Sequence, residues 1–225
     1  MSSDTDVERF LERFVAFGAQ PSARSYLPLF HPDATLFDSG MQRPITVPEI
    51  PEHIEAVLKL VPDFRMTPER WRVRGATVFV EAHNQATLRG DLLAWRSVYC
   101  VDLRGELVIR GRRYYDRRPL VSRVFPSVAE FAPVAFAMPA VEPLVLSGHV
   151  DDFVRVRAAA AIPGCELELL QWAGDEALVF LEWRVRGAPA GTPVEFGAAE
   201  RFDLAAARVT SSDCYFDSLA LTPIP

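Results

Sequence analysis

The segment ATVFVEA at residues 76–82 returns 101 positions later as ALVFLEW at residues 177–183. The same offset joins further identical residues without a gap: Trp71 with Trp172, Asp102-Leu103 with Asp203-Leu204, Val108 with Val209, and Tyr114 with Tyr215. A fixed period over such a span is typical of a repeated structural unit. The sequence therefore predicts two diverged copies of one unit, with domains at residues 1–120 and 121–225.

Helical and strand-forming segments follow one another in each copy. Apolar residues at helical spacing predict a first helix over residues 6–18. A second helix is predicted over residues 22–30, with Ser22 as its N-cap, and a third over residues 50–60, before Pro62. Four β-runs with short glycine-containing turns come after them, as in hairpins. The second copy repeats the four runs after a shorter helical lead. This order predicts an α+β fold of two tandem units, with fewer helices in the second.

Bulk composition restricts the class of partner. The formal net charge is -6 and 49% of the residues are apolar, so a large core is available but no basic surface. We therefore expect neither a nucleic-acid partner nor an anionic membrane surface. The acidic N-terminus lacks a signal-peptide pattern, and no apolar run approaches the ~20 residues of a membrane helix. The expected location is the cytoplasm.

Cofactor and metal motifs are missing from the sequence. The three cysteines, Cys100, Cys165 and Cys214, are far apart and favour neither a disulfide framework nor a zinc site. No phosphate-binding loop, no histidine pair at metal spacing and no Gly-x-Ser-x-Gly elbow is found. We expect no metal and no cofactor.

The first copy resembles a known family in two motifs. Residues 29–38, LFHPDATLFD, come between the second and third predicted helices, and the last β-run ends in Tyr114-Tyr115-Asp116. This arrangement is similar to the SnoaL-like branch of the nuclear transport factor two-like superfamily. The resemblance implies a cone-shaped unit, in which a curved antiparallel sheet wraps around helices and encloses a pocket. The fold hosts polyketide cyclases, isomerases, epoxide hydrolases, dehydratases and binding modules, so it does not fix the activity.

Three acid or base residues of the first copy are catalytic candidates. The resemblance places Asp38 where isomerases of the superfamily carry their general-base aspartate, although a turn that begins at Asp38 is an alternative. His53 opens the third helix, which faces the mouth of such a cone, and histidine is a common general acid or base. Asp116 matches an acid common in the family. Its counterpart Asp217 equally suggests an architectural role for both.

The steroid-isomerase pattern is incomplete in this chain. The two positions that would hold the enolate oxygen are occupied by Phe14 and Ser97. This argues against a standard steroid isomerase, but it leaves a cyclase or dehydratase that uses other donors.

Inward-facing positions of the β-runs supply substrate-binding candidates. Asn84 is the polar residue on the apolar, even-numbered face of residues 77–88, whereas Glu81 is expected on a solvent or interface face. The further candidates are Tyr26, Trp71, Trp95, Ser97 and Tyr99. Arg110 and Arg112 either bind an anionic substrate or form a ladder of cross-strand ion pairs, and the ladder is favoured.

The second copy keeps the strand residues and loses the polar ones. Val185, Ala198 and Glu200 stand where the first copy has Asn84, Ser97 and Tyr99. This predicts a structural second copy, packed on the first as a pseudo-dimer within a chain that is monomeric or weakly homodimeric.

The sequence favours one function and leaves two others open. The favoured function is a cofactor-independent enzyme that cyclises, isomerises or dehydrates a small hydrophobic oxygenated metabolite, such as a polyketide or terpenoid, by proton transfer. The alternatives are a non-catalytic small-ligand-binding module and a protein-interaction scaffold, in which Phe14, Phe37, Trp71 and Trp95 would fill the cone.

Overall fold

The computed structural model describes residues 3–39, 41, 43–130, 138, 149–159, 162, 164–188, 193–206 and 208–221. The chain forms two compact units, Met1–Tyr115 and Asp116–Pro225. One sheet has six strands and the other has four, and helices accompany both, so the predicted α+β class is confirmed. No helix within the described ranges has the length and apolar character needed to span a membrane.

Three helices precede the main strands of the first unit: α1 (Asp4–Ala19), α2 (Ala23–Tyr26) and α3 (Ile50–Leu60). Helix α1 begins with a capping box, in which the backbone N–H of Asp6 donates to Ser3 Oγ and that of Ser3 donates to Asp6 Oδ2. Its phenylalanines recur at helical spacing and are buried. Helix α2 is shorter than predicted, because Pro28 lies in a following 3-10 turn, Leu27–Leu29.

The first sheet contains β1 (Phe30–Asp38), β2 (Ile45–Thr46), β3 (Arg65–Arg74), β4 (Thr77–Leu88), β5 (Asp91–Arg104) and β6 (Leu107–Tyr114). The strand order is β2-β1-β6-β5-β4-β3. Among the described strand pairs of this sheet, β1 with β6 is parallel and the others are antiparallel. This one parallel pair departs from the predicted all-antiparallel sheet. It brings the carboxyl ends of β1 and β6 side by side, and the polar site lies at these ends.

Helix α1 approaches the sheet closely at Gly18, which predicts a large effect for one added methyl group. A Cβ at Gly18 would lie 2.2 Å from the backbone oxygen of Met66. That oxygen cannot easily move, because Met66 pairs with Asn84 in the sheet. Gly18→Ala is therefore expected to lower the free energy of unfolding by about 1–3 kcal/mol in denaturant titrations.

Val15→Ala is the matched control for Gly18→Ala, because Val15 is exposed on the same helix. We expect its free energy of unfolding to stay within about 0.5 kcal/mol of the wild type. Equal unfolding midpoints for Gly18→Ala and the wild type would contradict the close approach of α1 to β3.

The second unit contains helices α4 (Arg118–Val124), α5 (Ser127–Glu130) and α6 (Val150–Ala158), and strands β7 (Cys165–Gly174), β8 (Leu178–Gly187), β9 (Val194–Ala205) and β10 (Arg208–Tyr215). The strand order is β10-β9-β8-β7, and the described pairs are antiparallel. Phe153 of α6 packs edge-on against Phe202 of β9 in the core of this unit. The end of the helix predicted near residues 149–161 lies outside the described residues.

The two four-stranded meanders share one register when residue numbers differ by 101. Thr77 pairs with Asp102 in the first unit, and Leu178 pairs with Asp203 in the second. The shifts in strand register also lie at equivalent positions. The shift between Pro68 and Arg70 corresponds to that between Leu169 and Gln171, and the shift between Val108 and Arg110 corresponds to that between Val209 and Ser211. Since a bulge reverses which face the following residues occupy, these shared positions matter for the site.

Candidate functional site

A cavity opens in the first unit between α2, α3 and the sheet. Its volume is about 40 Å³ for the centre of a water-sized sphere, and the surrounding space, part of it open to solvent, brings the total to about 490 Å³. Most of its wall is apolar and comes from α3 and from Phe17, Leu36 and Phe64. Five polar side chains interrupt this wall: Tyr26, Asp38, His53, Tyr99 and Arg113. An apolar recess with a few convergent polar groups is the usual form of a small-molecule site.

Asp38 is the acid of this cavity. It ends β1 and lies in register with Arg113 of β6, whose Nη1 is 3.5 Å from Asp38 Oδ2. Its side chain is only 15% exposed, and Oδ1 has no hydrogen-bond partner among the residues that the structure describes. Burial raises the pKa of Asp38, although the charges of Arg113 and His53 oppose this effect.

Arg113 is the cation of the cavity, and the sequence did not indicate it. The bulge at Ile109 reverses the alternation of β6, so that Arg110 pairs with Asp102 and Arg113 points into the unit. Its guanidinium lies 4.5 Å from the ring centroid of Tyr115 and 5.0 Å from that of Tyr99. Burial opposes its charge, but Tyr99 and Asp38 outweigh burial and raise the pKa of Arg113.

Asn84 contacts Arg113 from behind the cavity wall, and Ser97 in turn contacts Asn84. Arg113 Nη2 donates to Asn84 Oδ1 at 2.9 Å. Asn84 Nδ2 donates to Ser97 Oγ at 2.9 Å, and both residues are fully buried. The inward position predicted for Asn84 is found, and its partner is a side chain of the same protein.

Aromatic residues complete the wall. The hydroxyl groups of Tyr26 and Tyr99 are buried, and burial is the main cause of their raised pKa values. Both are therefore neutral hydrogen-bond donors at physiological pH. Trp95 does not line the cavity but stacks on Phe64, which does, with ring centroids 5.9 Å apart.

His53 lies in the first turns of α3 and lines the cavity half-buried. The four predicted residues Tyr26, Asp38, His53 and Tyr99 are thus brought together around one space.

Besides Asn84, Trp95 and Ser97, two more predicted site residues do not line the cavity. Trp71 is 46% exposed on the edge strand β3 and does not line the cavity. Asp116 belongs to the second unit, where its Oδ1 accepts hydrogen bonds from the backbone N–H groups of Arg118 and Ser218. Asp217 accepts from those of Arg117 and Leu219 in the same way. The two aspartates therefore make matching hydrogen bonds with backbone N–H groups, and the catalytic role of Asp116 stays a prediction.

The structure also shows where the other charged residues considered in the sequence lie. Arg110 and Arg112 both bind Asp102, so the predicted ion-pair ladder is found. Glu81 is fully buried and accepts from Arg70 at 2.7 Å, which corrects its expected exposure. Within the described part of the chain, no three His, Cys, Asp or Glu side chains are grouped to hold a metal ion.

The corresponding interior of the second unit is occupied by an ion pair. Arg157 of α6 donates to both carboxylate oxygens of Glu200, at 2.9 and 2.6 Å. Trp183 Nε1 donates to the same carboxylate at 3.0 Å. The side chains of Arg157 and Glu200 are 2% and 5% exposed. Each charged group is thus satisfied by a neighbour in the same unit.

Solved structures similar to this chain include a candidate SnoaL-like polyketide cyclase from Jannaschia sp. CCS1, with 14% identity, a TM-score of 0.47, and coverage of 55% of this chain and 96% of that one. An NTF2-like protein of unknown function from Burkholderia pseudomallei K96243 has 14% identity, a TM-score of 0.49, and coverage of 55% and 99%.

A third structure is a hypothetical protein with a ketosteroid isomerase-like fold from Catenulispora acidiphila DSM 44928, in complex with trimethylamine. It has 17% identity, a TM-score of 0.44, and coverage of 51% of this chain and 87% of that one. At such identities the similarities concern the fold alone. No protein-family model matches the chain, and no curated protein matches it.

Proposed function

We propose that the first unit is a cofactor-independent enzyme that transfers a proton within a small hydrophobic oxygenated metabolite, such as a polyketide or terpenoid. The observation that carries the proposal is the pair of Asp38 and Arg113 in an apolar-walled cavity. Asp38 is a buried carboxyl group with a raised pKa, which suits a general base, and Arg113 is a fixed cation beside it.

The chemistry follows from these two charges. Ionised Asp38 removes a proton from the carbon next to a substrate carbonyl, and the C–H electron pair forms the C=C bond of an enolate. Arg113 and the neutral Tyr99 hydroxyl stabilise the enolate oxygen, in the role that Phe14 and Ser97 cannot fill. Protonated Asp38 then returns its proton to another carbon in an isomerisation or to a departing hydroxyl group in a dehydration.

The second unit is proposed to be structural. Its buried Arg157, Glu200 and Trp183 bind one another, so none of their charged groups is left for a ligand. The matching pair of Asp116 and Asp217 in this unit binds backbone N–H groups.

Exchange of carbon-bound protons tests the proposed activity without knowledge of the natural substrate. The protein is incubated in D2O with 2-tetralone or 3-methylcyclohex-2-enone, and loss of the α-proton signal is followed by NMR. We expect faster exchange than in buffer that contains heat-unfolded protein. Asp33→Asn removes an exposed carboxylate of the same strand and should exchange at the wild-type rate. Exchange at the buffer rate with every enolisable probe would refute the activity.

The pH dependence of exchange should reveal the buried base. The basic form of Asp38 is the carboxylate, and burial raises the pKa at which it forms. The rate should therefore rise with pH through this raised pKa and level off above it, so that the acid limb lies above the usual aspartate value of about 3.9. Rates measured from pH 4 to pH 9 would contradict this assignment if they showed no acid limb.

A further inference from the structure

The guanidinium of Arg113 is shared unequally between two acceptors. Nη2 donates to Asn84 Oδ1 at 2.9 Å, whereas Nη1 is 3.5 Å from Asp38 Oδ2. A good charge-assisted bond between arginine and a carboxylate is about 2.7–2.9 Å long and is often doubled. The neutral amide therefore has the shorter bond, and the carboxylate has one long contact.

Two buried or half-buried arginines of the second unit bind carboxylates through two short bonds. Arg157 contacts Glu200 at 2.9 and 2.6 Å, and Arg117 contacts Asp217 Oδ2 through Nε at 2.9 Å and Nη2 at 2.7 Å. The weak pairing of Asp38 is thus a local property of its surroundings.

Asn84 is fixed in the orientation that holds Arg113. Since arginine can only donate, the atom of Asn84 that faces it must be Oδ1. The Nδ2 group then donates to Ser97 Oγ at 2.9 Å and to the backbone oxygens of Ala82 and Trp95 at 3.1 and 3.2 Å. Three acceptors on one amide nitrogen prevent the side chain from rotating. In the second unit the equivalent residues, Val185 and Ala198, cannot make such a network.

Resting on the proposed function, we propose that Asn84, oriented by Ser97, is a positioning residue that holds one end of Arg113 and prevents a two-bond pair with Asp38. Asp38 Oδ1, which has no partner among the described side chains and backbone groups, is thereby kept free to take a proton. The same restraint keeps the Arg113 cation fixed for the oxygen of the substrate.

The charge environment of Asp38 makes this role measurable. The titratable groups around it are Arg113 on β6, His53 on α3, Tyr26 on α2 and Tyr99 on β5. Of these, Arg113 has the largest opposing effect on the raised pKa of Asp38. A closer Arg113 would stabilise the carboxylate and lower that pKa.

Asn84→Val, which installs the residue of the second unit, tests the proposal directly. The carboxyl carbon of Asp38 is titrated by NMR in protein labelled with ¹³C-aspartate, with Asp38→Asn used for assignment. We expect the midpoint of Asp38 to move to lower pH than in the wild type. The acid limb of probe exchange should move in the same direction.

Two further variants separate positioning from simple stability. Asn84→Asp keeps an oxygen for Arg113 and should not lower the midpoint of Asp38. Ser97→Ala loosens Asn84 and should lower the midpoint by a smaller amount. The proposal is overturned if the midpoint of Asp38 in Asn84→Val equals or exceeds that of the wild type. If Asn84→Val does not fold, the same criterion applies to Ser97→Ala. This titration does not depend on catalytic activity. A shifted midpoint in Asn84→Val, together with no probe exchange by the wild type, would therefore refute the proposed enzymatic activity but not the positioning role of Asn84.

Discussion

Asp38→Asn is expected to lower the rate of α-proton exchange by about 10²–10⁴-fold, the range that general acid–base catalysis contributes. Asparagine has nearly the shape of aspartate but cannot accept a proton from carbon. Arg113 stays bound to Asn84 Oδ1 in the variant, so the apolar cavity and its cation should persist. The measured loss would then report the missing base.

The stability of Asp38→Asn provides an internal check. The pKa of Asp38 is raised in the folded protein, so the folded state binds more protons than the unfolded state between the unfolded and folded pKa values. The free energy of unfolding of the wild type, relative to Asp38→Asn, should therefore fall as pH rises through this window. Denaturant titrations at pH 4 and pH 7 measure the difference. An unchanged exchange rate in a folded Asp38→Asn would remove Asp38 as the base.

Much of the fold follows from local sequence signals. Alternating apolar residues identify β4 and its inward face, and Val78, Val80, Ala82 and Asn84 are all buried on it. This regularity works because β4 runs for twelve residues without a bulge on its β5 side. The same argument correctly brings Asn84 towards the site.

The sequence missed Arg113 because alternation fails where a strand is bulged. Counted from Val108 with a period of two, Arg110 and Arg112 share the inner face. The extra residue at Ile109 shifts the register, so that Gly111 and Arg113 face inward instead. One signal was available, since Gly111 interrupts the strand and glycine in a strand often accompanies a bulge.

The sequence repeat suggested a structural role for Asp116 but did not establish one. The presence of Asp217 at the equivalent position suggested architecture, and the reciprocal backbone hydrogen bonds supply the physical reason. The prediction for Glu81 was wrong for a different reason. Strand alternation places Glu81 on the face opposite the apolar one, and a charged residue there is expected to be exposed. The ion pair with Arg70, which accompanies the burial of Glu81, is not visible in such a pattern.

Arg157→Met is expected to lower the free energy of unfolding by about 3–5 kcal/mol at neutral pH, the usual cost of removing one partner of a buried ion pair. Glu200 would remain buried, and among the residues that the structure describes Trp183 Nε1 would be its one remaining side-chain donor. Burial already raises the pKa of Glu200 while Arg157 lowers it. Without Arg157 the pKa rises further, so the loss should be smaller at pH 5 than at pH 8.

The loss of the ion pair between Arg157 and Glu200, and not the loss of the volume of the arginine side chain, should account for this decrease in stability. Arg157→Met combined with Glu200→Gln removes both charges and keeps an oxygen for Trp183 Nε1, so most of the stability should return. Arg155→Met removes an exposed arginine of the same helix and should stay within about 0.5 kcal/mol of the wild type. If the double variant were as unstable as Arg157→Met, loss of the guanidinium from its place over the Trp183 and Phe202 rings would be the cause. Recovery in the double variant would instead show that Glu200 needs a cation only because it is buried, which is the result expected from the structural role proposed for the second unit.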